Sequence, residues 1–502
     1  MFNEYVVGPV CRMITENGDR NAFCINERFY TYAETGRRVA AIRSALQQTP
    51  VTGRNVGLVA NDDIDTYAAI LAIWMEGLAY VPLHPKQPAE RSLEIISQAE
   101  VSLVVNSLDN SLFPGVRTIE TSGLPSRDFH PDPVETGEDA LAYILFTSGS
   151  TGKPKGVPIM RSNVGCFMKA FFEAGFKVST ADRCLQCFDL TFDVSVQSFL
   201  VPLTRGACTY TIPHDQIKYS YVYGLMEDHK LTFSVMAPSM IRYLRPYFDE
   251  IHAPDMRYCI LTAEASPVEL VREWSACIPN AAIFDFYGPT EATIYCTYYP
   301  FRKDGTNKEL NGMLSIGKPM NGMTALIVDE AKNILGAEQK GELCIAGGQL
   351  TPGYWNNPEK NKESFFELEL EGTPTRFYHT GDLCFMDKDG DIMYSGRLDY
   401  QVKIQGYRVE LGEIEYHARE SVNGKNAVAV AIQNGTGNTE IALFVEGGAD
   451  LLPVVTDHLK SKLPFYMIPS KMIAKEEFPL NTNGKIDRIA LKKGLAEIIQ
   501  PS

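Results

Sequence analysis

The sequence predicts an α/β protein with a large N-terminal domain of layered helices and partly parallel sheets, a small β-rich subdomain within it, and a small α+β C-terminal domain. Three observations carry this reading. The chain has 502 residues, more than one ordinary domain holds. Residues 1–398 alternate helical and strand patterns, the sequence habit of layered α/β folds. Residues 399–502 form a shorter run of strand and helix patterns, enough for a modest core of their own.

In chain order, residues 31–46 have helical periodicity, 55–60 read as a strand, 66–76 as a helix, and 79–83 as a strand. The apolar run 141–146 is a further strand. Between 324 and 346 the style changes to short strands separated by turn residues, at 325–329 and 342–346. In the C-terminal part, 427–432 and 441–445 read as strands and 454–462 as a helix. The boundary falls at Gly396-Arg397-Leu398-Asp399. No repeat, low-complexity segment or long linker interrupts the chain.

The chain is 45% hydrophobic and 22% charged, with a net charge of −15. That composition suits a soluble globular protein. Uniform acidity argues against nucleic acid and anionic membranes as partners, so any anion site must be local. The N-terminus, with Glu4 early and no long apolar core, does not read as a signal peptide. No segment approaches the roughly 20 apolar residues of a membrane span. Eleven cysteines are too dilute for a disulfide scaffold and suggest reduced thiols in the cytoplasm. Cys184 and Cys187 form a lone CxxC, read as two partly buried thiols. The eight histidines show no metal-ligand spacing.

The segment most specific for function is TSGSTGKPKG at 147–156, directly after the strand 141–146. Glycines let backbone N–H groups approach an anion, and hydroxyls and lysines add donors and charge. It is a loop suited to phosphate. It is not the Gly-x4-Gly-Lys-Ser/Thr loop, because Gly149 and Gly152 are too close and Pro154 follows Lys153. That proline also disfavours a helix start here.

The run YILFTSGSTGKPKGV resembles the phosphate-loop signature of the adenylate-forming enzymes, in particular the amino-acid adenylation domains. These join a carboxylate to AMP and pass the acyl group to a thiol. The resemblance extends over nearly the whole chain. It implies a layered αβαβα core over residues 1–398 and a mobile C-terminal lid over 399–502, with the active site between them and ATP and Mg²⁺ required. Thr147, Ser148, Gly149, Ser150, Thr151, Gly152, Lys153 and Lys155 would then hold phosphates. Further motifs match. In Phe286-Tyr287-Gly288-Pro289-Thr290-Glu291, Tyr287 would pack on adenine beside Gly288, Thr290 would contact the α-phosphate, and Glu291 would coordinate Mg²⁺ with Thr147 nearby. In Tyr378-His379-Thr380-Gly381-Asp382, Asp382 would hold the ribose hydroxyls, assisted by Arg397. Asp399 would be the hinge of the lid. Lys485, within Pro479–Arg488, would neutralise the substrate carboxylate and the charge developing at the α-phosphate.

The acid is addressed by Phe192-Asp193-Val194-Ser195-Val196. This run aligns with the element that contributes an amino-group-binding Asp in amino-acid adenylation domains, and a buried carboxylate is a sensible selector for an α-ammonium. By motif pairing, Val194, Gln197, Val235, Ile260, Thr262, Phe286, Ile294 and Tyr295 would line the pocket. A small or short polar amino acid is expected. The segment GRLDYQVKIQGYRVELGEIE is similar to that of stand-alone D-alanine:carrier-protein ligases, which makes D-alanine a leading candidate. The chain departs from that family at Thr262-Ala263-Glu264, where CGE is typical, and at Phe286, where a small residue is typical. The expected partner is a separate phosphopantetheinylated carrier protein. The alternative is an acyl- or aryl-acid:CoA ligase on the same scaffold, against which Asp193 speaks.

Overall fold

The computed structural model describes residues 1–108, 112–149, 152–422, 424–480 and 486–499, with only the backbone described over 496–499. The chain divides into two compact units. The first comprises Met1–Pro85, Ile95–Phe146 and Gly156–Leu398. The second comprises Lys86–Glu94, Thr147–Lys155 and Asp399–Ser502.

The first unit has the mixed α/β architecture that the sequence predicts. The helix Tyr32–Gln48 starts where Thr31 accepts from the Glu34 amide and Glu34 accepts from the Thr31 amide, a reciprocal capping box. The next helix, Ile64–Met75, is capped by Asp63 and buried on every side from Asp65 onward. It packs against Tyr32–Gln48 and against the strands Asn55–Val59 and Ala79–Leu83. Its largely apolar sequence, Asp65 and Thr66 apart, is therefore the signature of an interior helix rather than a surface one. Trp74 closes its last turn, donating from Nε1 to the Ala142 carbonyl at 2.8 Å.

Two large sheets organise this unit. One runs, in spatial order, Arg117–Glu120, Leu103–Asn106, Asn55–Val59, Ala79–Leu83, Leu141–Thr147, Lys155–Met160. A strand follows Pro154 rather than a helix, in accord with the proline's effect on the local chain. The second sheet has a parallel centre, with Cys208–Thr211, Arg183–Gln186, Phe233–Met236, Tyr258–Leu261 and Ala282–Tyr287 side by side. Antiparallel strands such as Arg28–Thr31 and Thr297–Pro300 flank it. Parallel centres of this kind gather loops at the carboxyl ends of the strands, where ligands bind in open α/β sheets. The β-rich subdomain is an antiparallel sheet of Met323–Val328, Gly341–Gly347, Thr373–Met386, Phe365–Leu370 and Ile392–Arg397.

The second unit contains a hairpin, Gln401–Ile404 with Tyr407–Glu410, turned by Gln405 at φ +50 and Gly406 at φ +85. Two consecutive positive φ values match the type I′ geometry of two-residue hairpin loops. A three-stranded sheet of Ala427–Gln433, Thr439–Glu446 and Lys471–Lys475 follows. Helices Leu411–Ser421 and Arg488–Ile499 pack on its first strand. Val428, Val430, Phe444 and Leu491 form its core. Among the described residues, no helix is long and apolar enough to cross a membrane.

Candidate functional site

In the first unit the strand Ala282–Tyr287 ends in Gly288-Pro289 and a single turn, Thr290–Ala292. Tyr287 is buried, and its hydroxyl donates to Asp382 Oδ2 in a short hydrogen bond. Asp382 sits opposite Arg397 in the antiparallel pair of Thr373–Met386 with Ile392–Arg397. Arg397 Nη1 reaches Asp382 Oδ1 at 2.9 Å and the Thr380 carbonyl at 3.1 Å. The strand segment before Asp382 is pinned twice: Thr380 donates to the Leu343 carbonyl at 2.6 Å, and the Gly381 amide donates to Glu342 at 2.8 Å. Two motifs 95 positions apart thus share one buried carboxylate.

Gly288 is required by close approach, since a Cβ there would lie 2.5 Å from Tyr295 Cα and 2.7 Å from the Ile294 carbonyl oxygen. Both are backbone atoms that cannot rotate away. Gly288→Ala is therefore expected to destabilise the protein by about 1–3 kcal/mol, read as a lower midpoint in urea unfolding. An unchanged midpoint would show that the segment around 294 yields freely.

Glu291 is fully buried, and Tyr354 donates to its Oε1 at 2.6 Å while Tyr378 lies 3.2 Å from the Tyr354 hydroxyl. After it, Thr293 and Ile294 adopt φ of +52 and +77. β-Branched residues rarely take such values, and the surroundings must hold them there. Gln349 does so, donating from Nε2 to the carbonyls of Tyr295 at 2.6 Å and Ala292 at 3.2 Å. Thr293 in turn donates to the Gln349 carbonyl at 2.6 Å.

Asp193 opens the helix Asp193–Leu203, and every residue of that helix is buried. Burial pushes its carboxyl up to about 6, the Glu291 charge adding in the same direction; hydrogen bonds from Thr290 and from the Val194 and Ile294 amides oppose this. Its Oδ2 is buried without a hydrogen-bond partner among the described residues. Lone buried carboxylate oxygens are costly, so this one is suited to a cation. The other pocket residues expected from the sequence, Val194, Gln197, Val235, Ile260, Thr262, Phe286, Ile294 and Tyr295, are all buried as well. Val235 and Ile260 face each other in register on adjacent parallel strands. Tyr295 donates to Gln197 Oε1 at 3.1 Å, and its ring lies 5.0 Å from that of Phe286. Ala263 has φ +70, a conformation glycine takes without strain. The departure from CGE therefore falls on the backbone position where glycine would fit best.

In the second unit the loop Thr147–Lys155 packs on the chain's own C-terminal segment. The Gly149 amide donates to Glu413 Oε2 at 3.0 Å, and Ser148 donates to the Arg408 carbonyl at 3.0 Å. Lys155 Nζ is 3.4 Å from Glu410 Oε1. Arg91 holds the other Glu413 oxygen at 2.7 Å, both side chains being buried. Two of the loop's donors, the Gly149 amide and Lys155 Nζ, thus meet carboxylate oxygens, anions of the kind such donors hold. Both glycines are crowded: a Cβ at Gly149 would sit 2.0 Å from the Lys153 carbonyl oxygen, and one at Gly152 would sit 2.3 Å from the Tyr416 ring. Thr147 donates weakly to the Lys155 carbonyl at 3.5 Å, and Lys153 is exposed. Ser150, Thr151 and Lys485 lie outside the described residues.

The sequence profile of the AMP-binding enzyme family matches residues 12–355. The chain belongs to the AMP-binding enzyme family. It is 31% identical over 490 residues to tyrocidine synthase 2 of Brevibacillus parabrevis, an alignment covering 95% of this chain and 13% of that protein. The chain therefore spans only a small part of that larger protein. Among solved structures, the fold is similar to that of the Vibrio cholerae adenylation domain AlmE in complex with glycyl-adenosine-5'-phosphate. The TM-score is 0.84 at 24% identity, over 98% of this chain and 97% of that one. It is similar also to holo-PA1221, a nonribosomal peptide synthetase protein containing adenylation and PCP domains, with a TM-score of 0.85 at 23% identity, over 98% and 84% of the two chains.

In this AMP-binding enzyme, several residues that fix the candidate site carry no motif in the sequence. Gln349 and Tyr354 hold the segment around 290–295 from more than 50 positions away. Glu264 receives the amide and hydroxyl of Ser239 at 3.0 and 2.9 Å, capping the start of Pro238–Leu244. Glu410 and Glu413 face the phosphate-type loop. Only the last two have a local signal, as acidic residues in the segment YRVELGEIE.

Proposed function

We propose that the chain is an ATP-dependent ligase that activates a small amino acid as an aminoacyl-adenylate. It then passes the aminoacyl group to the phosphopantetheine thiol of a carrier protein. The observation that carries this reading is the unpartnered, buried Oδ2 of Asp193. An α-ammonium group would satisfy it, whereas an acyl- or aryl-acid substrate would leave it bare, which speaks against the CoA-ligase alternative.

In this mechanism Asp193 binds the ammonium group and orients the substrate carboxylate. That carboxylate attacks the α-phosphorus of ATP, the bond to the β-phosphate oxygen breaks, and pyrophosphate leaves. Asp382, supported by Tyr287 and Arg397, would hold the ribose hydroxyls, and Thr290 the α-phosphate. Residues 147–155 would hold the phosphates, which compete there with Glu410 and Glu413 for the same donors. Lys485 would neutralise the entering carboxylate. The work is mainly orientation and charge neutralisation. A magnesium site uses one or two carboxylates together with substrate phosphates. The buried carboxylate of Glu291, fixed by Tyr354, fits that requirement, with Thr147 the second ligand expected from the motif. The ion would supply charge neutralisation on the phosphates. In the second step the carrier thiol attacks the acyl carbon and AMP leaves. Asp399, the first residue of the long C-terminal segment of the second unit, would act as the hinge between the steps.

Phe286 and Tyr295 limit the pocket, and Gln197 and Thr262 lend it polarity. Together they support a short side chain, with D-alanine the leading candidate and glycine next. All eleven cysteines are free and all but Cys166 are buried, which supports a reducing compartment such as the cytoplasm. ATP–pyrophosphate exchange measured across all L- and D-amino acids tests the reading. Exchange confined to one or a few small amino acids is expected. Exchange with simple carboxylic acids but with no amino acid would overturn it in favour of the CoA-ligase class.

A further inference from the structure

The histidines show no metal-ligand spacing along the sequence, yet the fold brings several of them together with carboxylates. In the second unit, helix Leu411–Ser421 carries both His417 and Glu420, one turn apart, while helix Leu451–Lys462, packed on it, carries His458. His417 Nδ1 lies 3.0 Å and His458 Nε2 3.7 Å from the same oxygen, Glu420 Oε2. A tetrahedral zinc ion with arms of about 2.0–2.1 Å has ligand-to-ligand edges of about 3.3 Å. The two separations bracket that value.

The groups behind these ligands are also arranged as a metal site requires. His417 Nε2 is 3.2 Å from the Gly152 carbonyl oxygen. Nδ1 donates to Glu420 Oε2 in the ion-free protein; a metal ion would take the place of that proton, with Nε2–H still held by the carbonyl. The Tyr416 hydroxyl donates to Glu420 and fixes its carboxylate. His458 Nε2 is buried and has no hydrogen-bond partner among the described residues. The cluster His84, Asp189, His214 differs in carrying its own cation, since Lys218 Nζ is 3.0 Å from Asp189. In the cluster Glu342, Cys344, His379, burial pushes the thiol well above its ordinary range, and Glu342 is committed to the Gly381 amide.

We propose that His417, Glu420 and His458 form a site for one zinc-type divalent ion, with water as the fourth ligand. An ion there ties two helices of the second unit together. Through the Nε2–H of His417 it also holds the carbonyl of Gly152, and so steadies the glycine-rich loop against Tyr416. The three ligands themselves have no role in the nucleotide and amino-acid chemistry proposed above.

The test is titration of the chelator-treated full chain with Zn²⁺ against a chromophoric competitor, with Co²⁺ substitution as the spectroscopic readout. One tight equivalent, a tetrahedral Co²⁺ spectrum and a rise in Tm on Zn²⁺ addition are expected. His458→Ala and Glu420→Gln should each weaken that equivalent at least tenfold and remove the Tm shift. Either variant suffices if the other fails to fold, with circular dichroism as the check. Absence of a tight equivalent in the wild type, or unchanged Zn²⁺ affinity in a folded variant, overturns the proposal.

Discussion

Asp193→Asn is expected to make the ligand-free protein more stable above pH 6 while removing its amino-acid-dependent activity. The sign follows from the raised carboxyl. Its value in the folded protein is about 6, against 3.8 for the ordinary group. Below about pH 4 the group is protonated in both states and is neutral to stability. As pH rises from 4 to 6 the unfolded chain releases its proton first, so stability falls. Above 6 the full penalty applies, on the order of 3 kcal/mol for two units. Asparagine removes that penalty, so urea unfolding at pH 8 should show a variant more stable than the wild type, with the gap closing towards pH 4. Activity should move the opposite way. Losing one partner of a buried charge pair costs about 3–5 kcal/mol, a fall of roughly 10²- to 10⁴-fold in kcat/KM for the amino acid. KM for ATP should change little. A variant less stable at pH 8, or equal losses for both substrates, would mean that Asp193 serves the fold rather than the substrate.

Lys485→Ala is expected to lower amino-acid-dependent pyrophosphate exchange by about 10²- to 10³-fold, the 3–4 kcal/mol that removal of one well-placed charge stabiliser typically costs. The described residues on either side of Lys485 are well anchored. Leu480 and Ile486 form an antiparallel bridge, and the Asp487 amide donates to the Pro479 carbonyl at 2.7 Å. Asp487 then caps the helix Arg488–Ile499, and Arg488 is fixed by Glu415 and the Ala429 carbonyl. Folding is expected to be unaffected, with circular dichroism as the check. Thiol transfer from a preformed aminoacyl-adenylate should be spared, because that step no longer needs the carboxylate neutralised. Unchanged exchange would remove Lys485 from the mechanism.

What the sequence made legible was whatever has a short-range physical cause. A helical period marks Tyr32–Gln48, and apolar runs between turn residues mark Asn55–Val59, Ala79–Leu83 and Ala427–Gln433. Pro154 correctly argues against a helix after the glycine-rich loop. The gathering of Tyr287, Asp382 and Arg397 in one cluster follows from motif company rather than from pattern alone. Asp193 reads either as a helix-start residue or as a substrate ligand. In the structure it occupies the first turn of its helix with one oxygen unpartnered, so the two roles are compatible. What stayed hidden has long-range causes. Gln349 stabilises the unusual backbone of Thr293 and Ile294, and no local pattern marks a glutamine for that task. Glu413 meets Gly149 across 264 positions. His417 and His458 lie on separate helices, and only packing brings them to the same carboxylate.

The central claim, that this chain couples ATP to an amino acid held by Asp193, is tested most directly by mass spectrometry. The purified protein would be incubated with ATP, Mg²⁺ and the pool of L- and D-amino acids, and the bound small molecules then released and weighed. The account predicts an aminoacyl-AMP of a small amino acid, present with the wild type and missing with Asp193→Asn. Recovery of acyl-AMP mixed anhydrides of unaminated acids alone, or of no adenylate under any mixture, would contradict it.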